Sequence, residues 1–231
     1  MATLALPRVA GGPRAWAARR AIGWALIVAG TIGYAYGLAR PWHLRWGATD
    51  AEVAAALPGD ELAPGAPVVS TRAITIAAPP EAIWPWLAQL GQGRGGFYSY
   101  ELVENALGCA IENAEAIVPA WQHPRPGDLV KLAPDPAAPP AYVVAQVIPG
   151  RALVLGHRAG LSEDPAAPWS DTWQFVIAPV DARTSRLIVR TRGSGEPAWI
   201  FRAIEPGVFL MEQKMLRGIR ERAERLAATG L

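Results

Sequence analysis

Near the C-terminus the chain carries one run that nothing else in it matches. From Pro206 onward, apolar residues recur at Val208, Met211, Met215, Ile219, Ala223 and Leu226, the period of one helical face. Glu212, Arg220, Glu221, Glu224 and Arg225 fill the other sides, and Glu221 to Arg225 is an i,i+4 pair in the favourable order. Upstream, the sequence alternates in short stretches, as strands do. A sheet built from them must bury its apolar face, and this helix is the only element long enough to cover it. The expected fold class is therefore α+β: an antiparallel sheet of about six or seven strands around one long C-terminal helix. If the two do not collapse fully together, a cavity lies between them.

The strand candidates can be placed one by one. Residues 71–77 alternate. Further candidates are 114–121, 128–133, 141–148, 152–158, 169–180 and 184–193. Pro149, Gly150 and Arg151 make the third-last pair a hairpin. In 184–193, Leu187, Val189 and Thr191 share one face, and Arg186, Ile188, Arg190 and Arg192 share the other. A helix is expected from Pro80, which suits a first turn, with Glu81 favouring its dipole. Pro85 lies inside that span and should kink or break it.

Gly91, Gly93 and Gly96 fit the spacing G-x-G-x-x-G. A dinucleotide fingerprint must follow a strand and open a helix, because the phosphate sits on the amides of that helix. Here the glycines follow a helix, and an aromatic cluster comes next. No Lys-Ser or Lys-Thr follows either, so no P-loop is present. The glycines read as a flexible connection between two helices, with Arg94 exposed among them.

Charge and cysteine content narrow the function classes. Residues 1–45 carry six Arg and no acid, leaving 16 basic and 20 acidic residues for the remainder. That remainder makes no general electrostatic case for nucleic acid. The single cysteine, Cys109, and three scattered His (43, 123 and 157) give no metal pattern. No metal site and no cofactor are expected.

Residues 21–39 contain no charge, and a helix of that length spans roughly 28 Å, near the hydrocarbon thickness. Four Arg precede the stretch, and Arg40, Trp42, His43, Arg45 and Trp46 follow it. The expectation is a basic tail over 1–20, a single-pass transmembrane helix over 21–39, a juxtamembrane helix and linker over 40–70, and a domain over 71–231. A cleaved secretory signal and a buried helix are the competing readings. The Arg excess before the span places the domain outside the cytoplasm, on a bacterial inner membrane. Thr49 and Glu52 make a capping box for a short linker helix.

From residue 70 to 227 the order of elements resembles the SRPBCC superfamily, the START-like or Bet v 1-like helix-grip domains. The resembling stretches are ITIAAPPEAIWPWLAQLGQGRGGFYSYELVEN, PGD, VVAQVIPGRALVLGH, TWQFVIAP, SRLIVRTRG and EPGVFLMEQKMLRGIRERAE. The resemblance implies a sheet wrapped around the terminal helix, enclosing a mostly apolar cavity. It points to the polyketide cyclase/dehydrase-like members, in a subgroup with an N-terminal membrane segment. The superfamily's oxygenase branch needs iron held by two His and a carboxylate, and the His here give no such pattern.

Candidate ligand-binding residues are Tyr98, Tyr100, Trp121, Trp173, Arg190, Met211 and Met215. The tyrosines follow the glycines, where the resemblance places the cavity mouth, and their rings with polar tips suit an apolar ligand carrying oxygen. Arg190, if it faces inward, would neutralise an anionic head group. Met211 and Met215 lie on the closing helix and adapt to irregular ligands. If the cavity is catalytic, Glu101, Glu104, His157 and Arg190 are the available acid, base or charge-stabilising groups. The leading expectation is a membrane-anchored binding protein for an apolar small molecule or lipid held between sheet and helix. The alternatives are an enzyme (cyclase, dehydratase or hydrolase) on a hydrophobic substrate in the same cavity, and an accessory or scaffold protein with a protein partner.

Overall fold

The computed structural model describes residues 36–134, 140–193 and 198–230, together with Ile22, Ala25 and Gly33; over 198–201 and at 203 it describes the backbone alone. The chain divides into two compact units, Met1–Trp42 and His43–Leu231. In the second, α1 (Asp50–Ala54) precedes β1 (Val68–Ile76), α2 (Pro80–Ala88), α3 (Glu101–Ala106) and β2 (Leu129–Val130). Then come β3 (Tyr142–Ile148), β4 (Ala152–Arg158), β5 (Trp169–Pro179), β6 (Ser185–Gly193) and the closing helix α4 (Ala198–Ala228). The six strands form one antiparallel sheet in the order β1-β6-β5-β4-β3-β2. This is the expected α+β helix-grip architecture.

The membrane expectation is corrected. Among the described residues no helix is long and apolar enough to cross a membrane. The described helical stretch over 36–44 runs through Arg40 and His43, so it lacks the uninterrupted apolar run that a span needs. The rest of 21–39, apart from Ile22, Ala25 and Gly33, lies outside the described residues, as does the basic tail over 1–20. The correction extends to the transmembrane helix in the fold class, the membrane-anchored subgroup, the membrane partner, the anchored binding function and the inner-membrane localisation.

Strand alternation sorts the side chains between two faces. Ile74, Ile76, Leu153, Leu155, Phe175, Ile177, Leu187 and Val189 point inward, where they pack with Met215, Leu216, Ile219 and Ala223 of α4 and with Trp86, Leu87, Phe97 and Tyr98. These residues fill the middle of the space between sheet and helix. Ala73, Ala152, Val176 and Ile188 point outward and are covered by Ala48 and Leu57. The outer face is therefore covered too, by residues 44–63.

Three arginines of β6 hold that cover. Arg190 is buried and donates to the Thr71 hydroxyl, to Asp60 at 2.6 Å, and to the carbonyls of Glu52, Val53 and Ala55 at 2.8–3.0 Å. These carbonyls end α1, where no intrahelical partner exists, so Arg190 acts as a C-terminal cap. Arg186 grips the Glu52 carboxylate with two nitrogens at 2.7 and 2.8 Å, and Arg192 donates to the Ala63 carbonyl at 3.0 Å. Glu52 also closes the capping box with Thr49. Burial pushes the Glu52 carboxyl up, but the bonds from Arg186 and Thr49 outweigh it and hold the pKa below the usual value.

Several local expectations fail. Residues 114–121 form no strand, because side chains take their backbone groups. Gln89 receives the Val118 N–H and donates to the Ala116 carbonyl, and Arg222 donates to the Ala114 carbonyl. A 3-10 turn, Pro119–Trp121, stands in its place. Helix α2 runs through Pro85 without ending. The glycine segment is a pinned turn rather than a flexible joint: Gly91 and Gly96 exchange two backbone bonds of 3.0 Å, and both have positive φ. Arg94, half-buried, donates to the carbonyls of Ala88 and Trp121.

Candidate functional site

The inner face changes character toward one end. There the strand ends of β3, β4 and β5 and the middle of β1 present Tyr142, His157, Asp171, Trp173 and Arg72 on the side that faces α4. The parity that buries Leu155 and Phe175 carries His157, Asp171 and Trp173 onto the same face. The β4–β5 register sets His157 directly opposite Asp171.

His157 Nδ1 lies 3.0 and 3.1 Å from the two Asp171 oxygens, and Nε2 lies 3.2 Å from the Pro140 carbonyl. Both ring nitrogens thus face acceptors, an arrangement that only the imidazolium satisfies at both positions. Burial pushes His157 toward neutrality, but the bond and charge of Asp171, aided by the Pro140 carbonyl, raise its pKa above the usual value. The Tyr142 ring lies against the imidazole with centroids 4.1 Å apart, and 5.5 Å from Trp173. Burial, then the charges of Asp171 and Glu212, raise the Tyr142 phenol well above its ordinary value.

The second half of the site hangs from α4. Trp173 Nε1 donates to Glu212 Oε1 at 3.3 Å. Arg72 Nη1 donates to the other oxygen of Glu212, and both side chains are almost completely buried. Arg72 Nε donates to the His43 carbonyl at 2.8 Å, and Phe209 lies under its guanidinium at 5.3 Å. His43 Nε2 in turn lies 3.6 Å from Glu205. Phe97 and Phe175 flank Trp173, at 6.0 and 4.8 Å between centroids, and make an aromatic wall between the polar end and the apolar core.

The remaining sequence candidates occupy other places. Arg190 faces outward and bonds to the segment covering that face. Met215 is fully buried in the core. Met211 is half-buried, and its carbonyl accepts from Ser99 at 2.9 Å. Tyr98 is buried, donates to the Trp86 carbonyl at 3.1 Å, and carries Arg222 over its ring at 4.8 Å. Trp121 is half-buried in the 3-10 turn. Tyr100 and Glu101 line a surface cleft of about 410 Å³ with Ser99, Asn113, Glu115 and Arg222. Glu101 accepts from the backbone N–H of Asn113. Glu104 is buried, one of its oxygens has no hydrogen-bond partner, and burial followed by the neighbouring Glu101 charge raises its pKa to about 7.

Of the expected residues, the polar end gathers only His157 and Trp173. Tyr142, Asp171, Glu212 and Arg72 were not singled out from sequence. Asp171 and Trp173 share an alternation, which was a usable signal, but pairing with His157 depends on register. Among the described residues no three His, Cys, Asp or Glu gather as a metal site.

No protein-family model matches the sequence, and no curated protein matches it. Among solved structures, the chain is similar to protein MLL2253 from Mesorhizobium loti, at 17% identity and a TM-score of 0.41, covering 68% of this chain and 98% of that one. Protein CV1439 from Chromobacterium violaceum gives 12% identity and 0.38 over 68% of this chain and 99% of that one. The di-domain ARO/CYC StfQ from the steffimycin biosynthetic pathway gives 13% and 0.39 over 70% of this chain and 52% of that one. At these scores the architecture rests on the chain's own strand order and closing helix.

Proposed function

We propose that the protein is an enzyme performing acid–base chemistry (cyclisation, dehydration or hydrolysis) on a hydrophobic small molecule at the polar end of the grip. The observation that carries this reading is the His157–Asp171 pair on the inner face, set against the aromatic wall of Tyr142, Trp173 and Phe97. His157 is the general acid. Asp171 holds Nδ1 and favours the protonated ring, so Nε2–H is the transferable proton. A substrate oxygen takes the place of the Pro140 carbonyl at that nitrogen. Glu212, which accepts from Arg72 and Trp173, is the complementary base on the same wall. In a dehydration, the base takes the proton α to a carbonyl, and the β-hydroxyl departs with the proton of His157 as water. The aromatic rings supply the apolar surface for the substrate body.

The test uses 4-hydroxy-4-phenylbutan-2-one as probe, with loss of water followed by the absorbance of the conjugated ketone. Wild type is expected to accelerate the reaction above buffer, and His157→Gln to lose that acceleration by a factor of about 100 or more. Equal rates for wild type and H157Q contradict the assignment. A second reading, an accessory protein with a filled interior, is favoured by the packing of Phe97, Phe175 and Met215 between sheet and helix. It predicts no turnover and no probe binding on the inner face.

A further inference from the structure

A second cleft lies along the free edge of β1, whose order in the sheet leaves that side unpaired by another strand. It has a volume of about 600 Å³ and is lined by Trp46, Gly47, Ala73, Ile74, Thr75, Arg186, Arg217 and Arg220. Its size falls within the range of small-molecule sites. Three of its lining residues are arginines, and none is an acid. Arg186 is already matched by Glu52. Arg217 and Arg220 form no ion pair or hydrogen bond with any described residue. Arg217 instead lies over the Trp46 ring, 5.6 Å from its centroid, which leaves its nitrogens free at the edges. The acids one helical turn on, Glu221 and Glu224, do not take up these cations; Glu224 accepts from the Ala77 N–H at 2.9 Å.

The edge strand adds a donor. The Ala73 N–H is taken by the Trp46 carbonyl at 3.0 Å and the Ala77 N–H by Glu224, so odd-numbered amides of this strand point away from β6. By the same alternation the Thr75 N–H points outward between them, along the cleft wall. Two unmatched guanidinium groups, one outward amide and one indole face therefore converge on a single concavity.

We propose that this cleft binds an oxyanion, a phosphate or a carboxylate, carried by a small aromatic molecule whose ring lies against Trp46. Arg217 and Arg220 hold the oxyanion, for which their planar donor forks are suited. The site shares no residue with the His157 end, so either assignment can fail alone.

The experiment is isothermal titration of the full chain with 1-naphthyl phosphate, 1-naphthoic acid, inorganic phosphate and 1-naphthol. The two naphthyl anions are expected to bind at least tenfold tighter than either naphthol or inorganic phosphate. Comparison of the two identifies which oxyanion the cleft prefers. Arg217→Gln with Arg220→Gln is expected to weaken the naphthyl anions at least tenfold. Arg220→Gln alone serves if the double variant loses its fold by circular dichroism. Trp46→Leu is expected to weaken the naphthyl anions and leave inorganic phosphate unchanged. Equal affinity for naphthol and the naphthyl anions, or arginine variants that bind like wild type, overturns the proposal.

Discussion

The two faces of one sheet use the same chemistry for different ends. On the outer face, Arg190 donates five hydrogen bonds, to Asp60, Thr71 and the three carbonyls that end α1. Its donors are matched by fixed acceptors, so it holds a segment and has little left to offer a ligand. On the inner face, Arg72 also meets a carboxylate, but that carboxylate reaches on to Trp173. Beside it His157 stands with one nitrogen held by an acid and the other against a single carbonyl that a substrate could displace. The difference shows that a charged residue in a strand is read by the number and kind of its partners, not by its type.

Breaking the outer face should have the largest effect. Arg190→Ala takes the closest cation from Asp60, leaves the carbonyls of α1 without their donor, and should cost about 3–5 kcal/mol, measured as a shift in urea-induced unfolding. A loss below about 1 kcal/mol would mean that the outer clamp does not hold the segment. On the inner face, Glu212→Gln leaves Arg72 buried without a counter-charge. Its expected cost is about 2–4 kcal/mol in the same assay. If E212Q matches wild type, Arg72 is not held by Glu212 and the base assignment goes with it.

Two smaller predictions turn on pH. The Glu104 pKa is raised from 4.5 to about 7 in the folded protein, so the folded state binds that proton more tightly than the unfolded chain does. The stability this contributes is present at low pH and is lost as pH rises from about 4.5 through 7. Glu104→Gln should therefore match wild type at pH 4 and exceed it by about 1–2 kcal/mol at pH 8. A constant difference between the two across that range would show that Glu104 is not the titrating group. His157 has a raised folded pKa as well, so its contribution is full below its unfolded value and fades as pH rises through the folded one. His157→Gln should cost about 0.5–1 kcal/mol near pH 5 and little near pH 9. The reverse order would mean that the ring is neutral in the folded state.

Much of the fold was legible in the sequence. The helical period from Val208 to Leu226 lies within α4, and alternation in 141–148, 152–158, 169–180 and 184–193 placed β3 to β6 within a residue or so. Thr49 and Glu52 form their capping box. What was not legible depended on side chains from distant segments. Gln89 and Arg222 take the backbone groups of 114–118 and leave no strand there. That Arg190 shares a face with Arg186, Ile188 and Arg192 was readable, but not that this face points away from the core and is covered by residues 44–63. The site was half legible: His157 and Trp173 stood out, whereas Asp171 became relevant only through the β4–β5 register. The charge-free stretch over 21–39 gave the apolar signal of a span, but most of it lies outside the described residues, among which no helix is long and apolar enough to cross a membrane.

The account's central claim is that the inner polar end is where a small molecule reacts. A crystal structure of the protein with 4-phenylbut-3-en-2-one, the product of the probe reaction, tests it most directly. The account predicts the phenyl-bearing alkene carbon, from which the hydroxyl departed, facing His157 Nε2 with the Pro140 carbonyl displaced, and the phenyl ring against Trp173 and Tyr142. Product bound only in the surface clefts, with the His157–Pro140 contact intact at saturating probe, would contradict it.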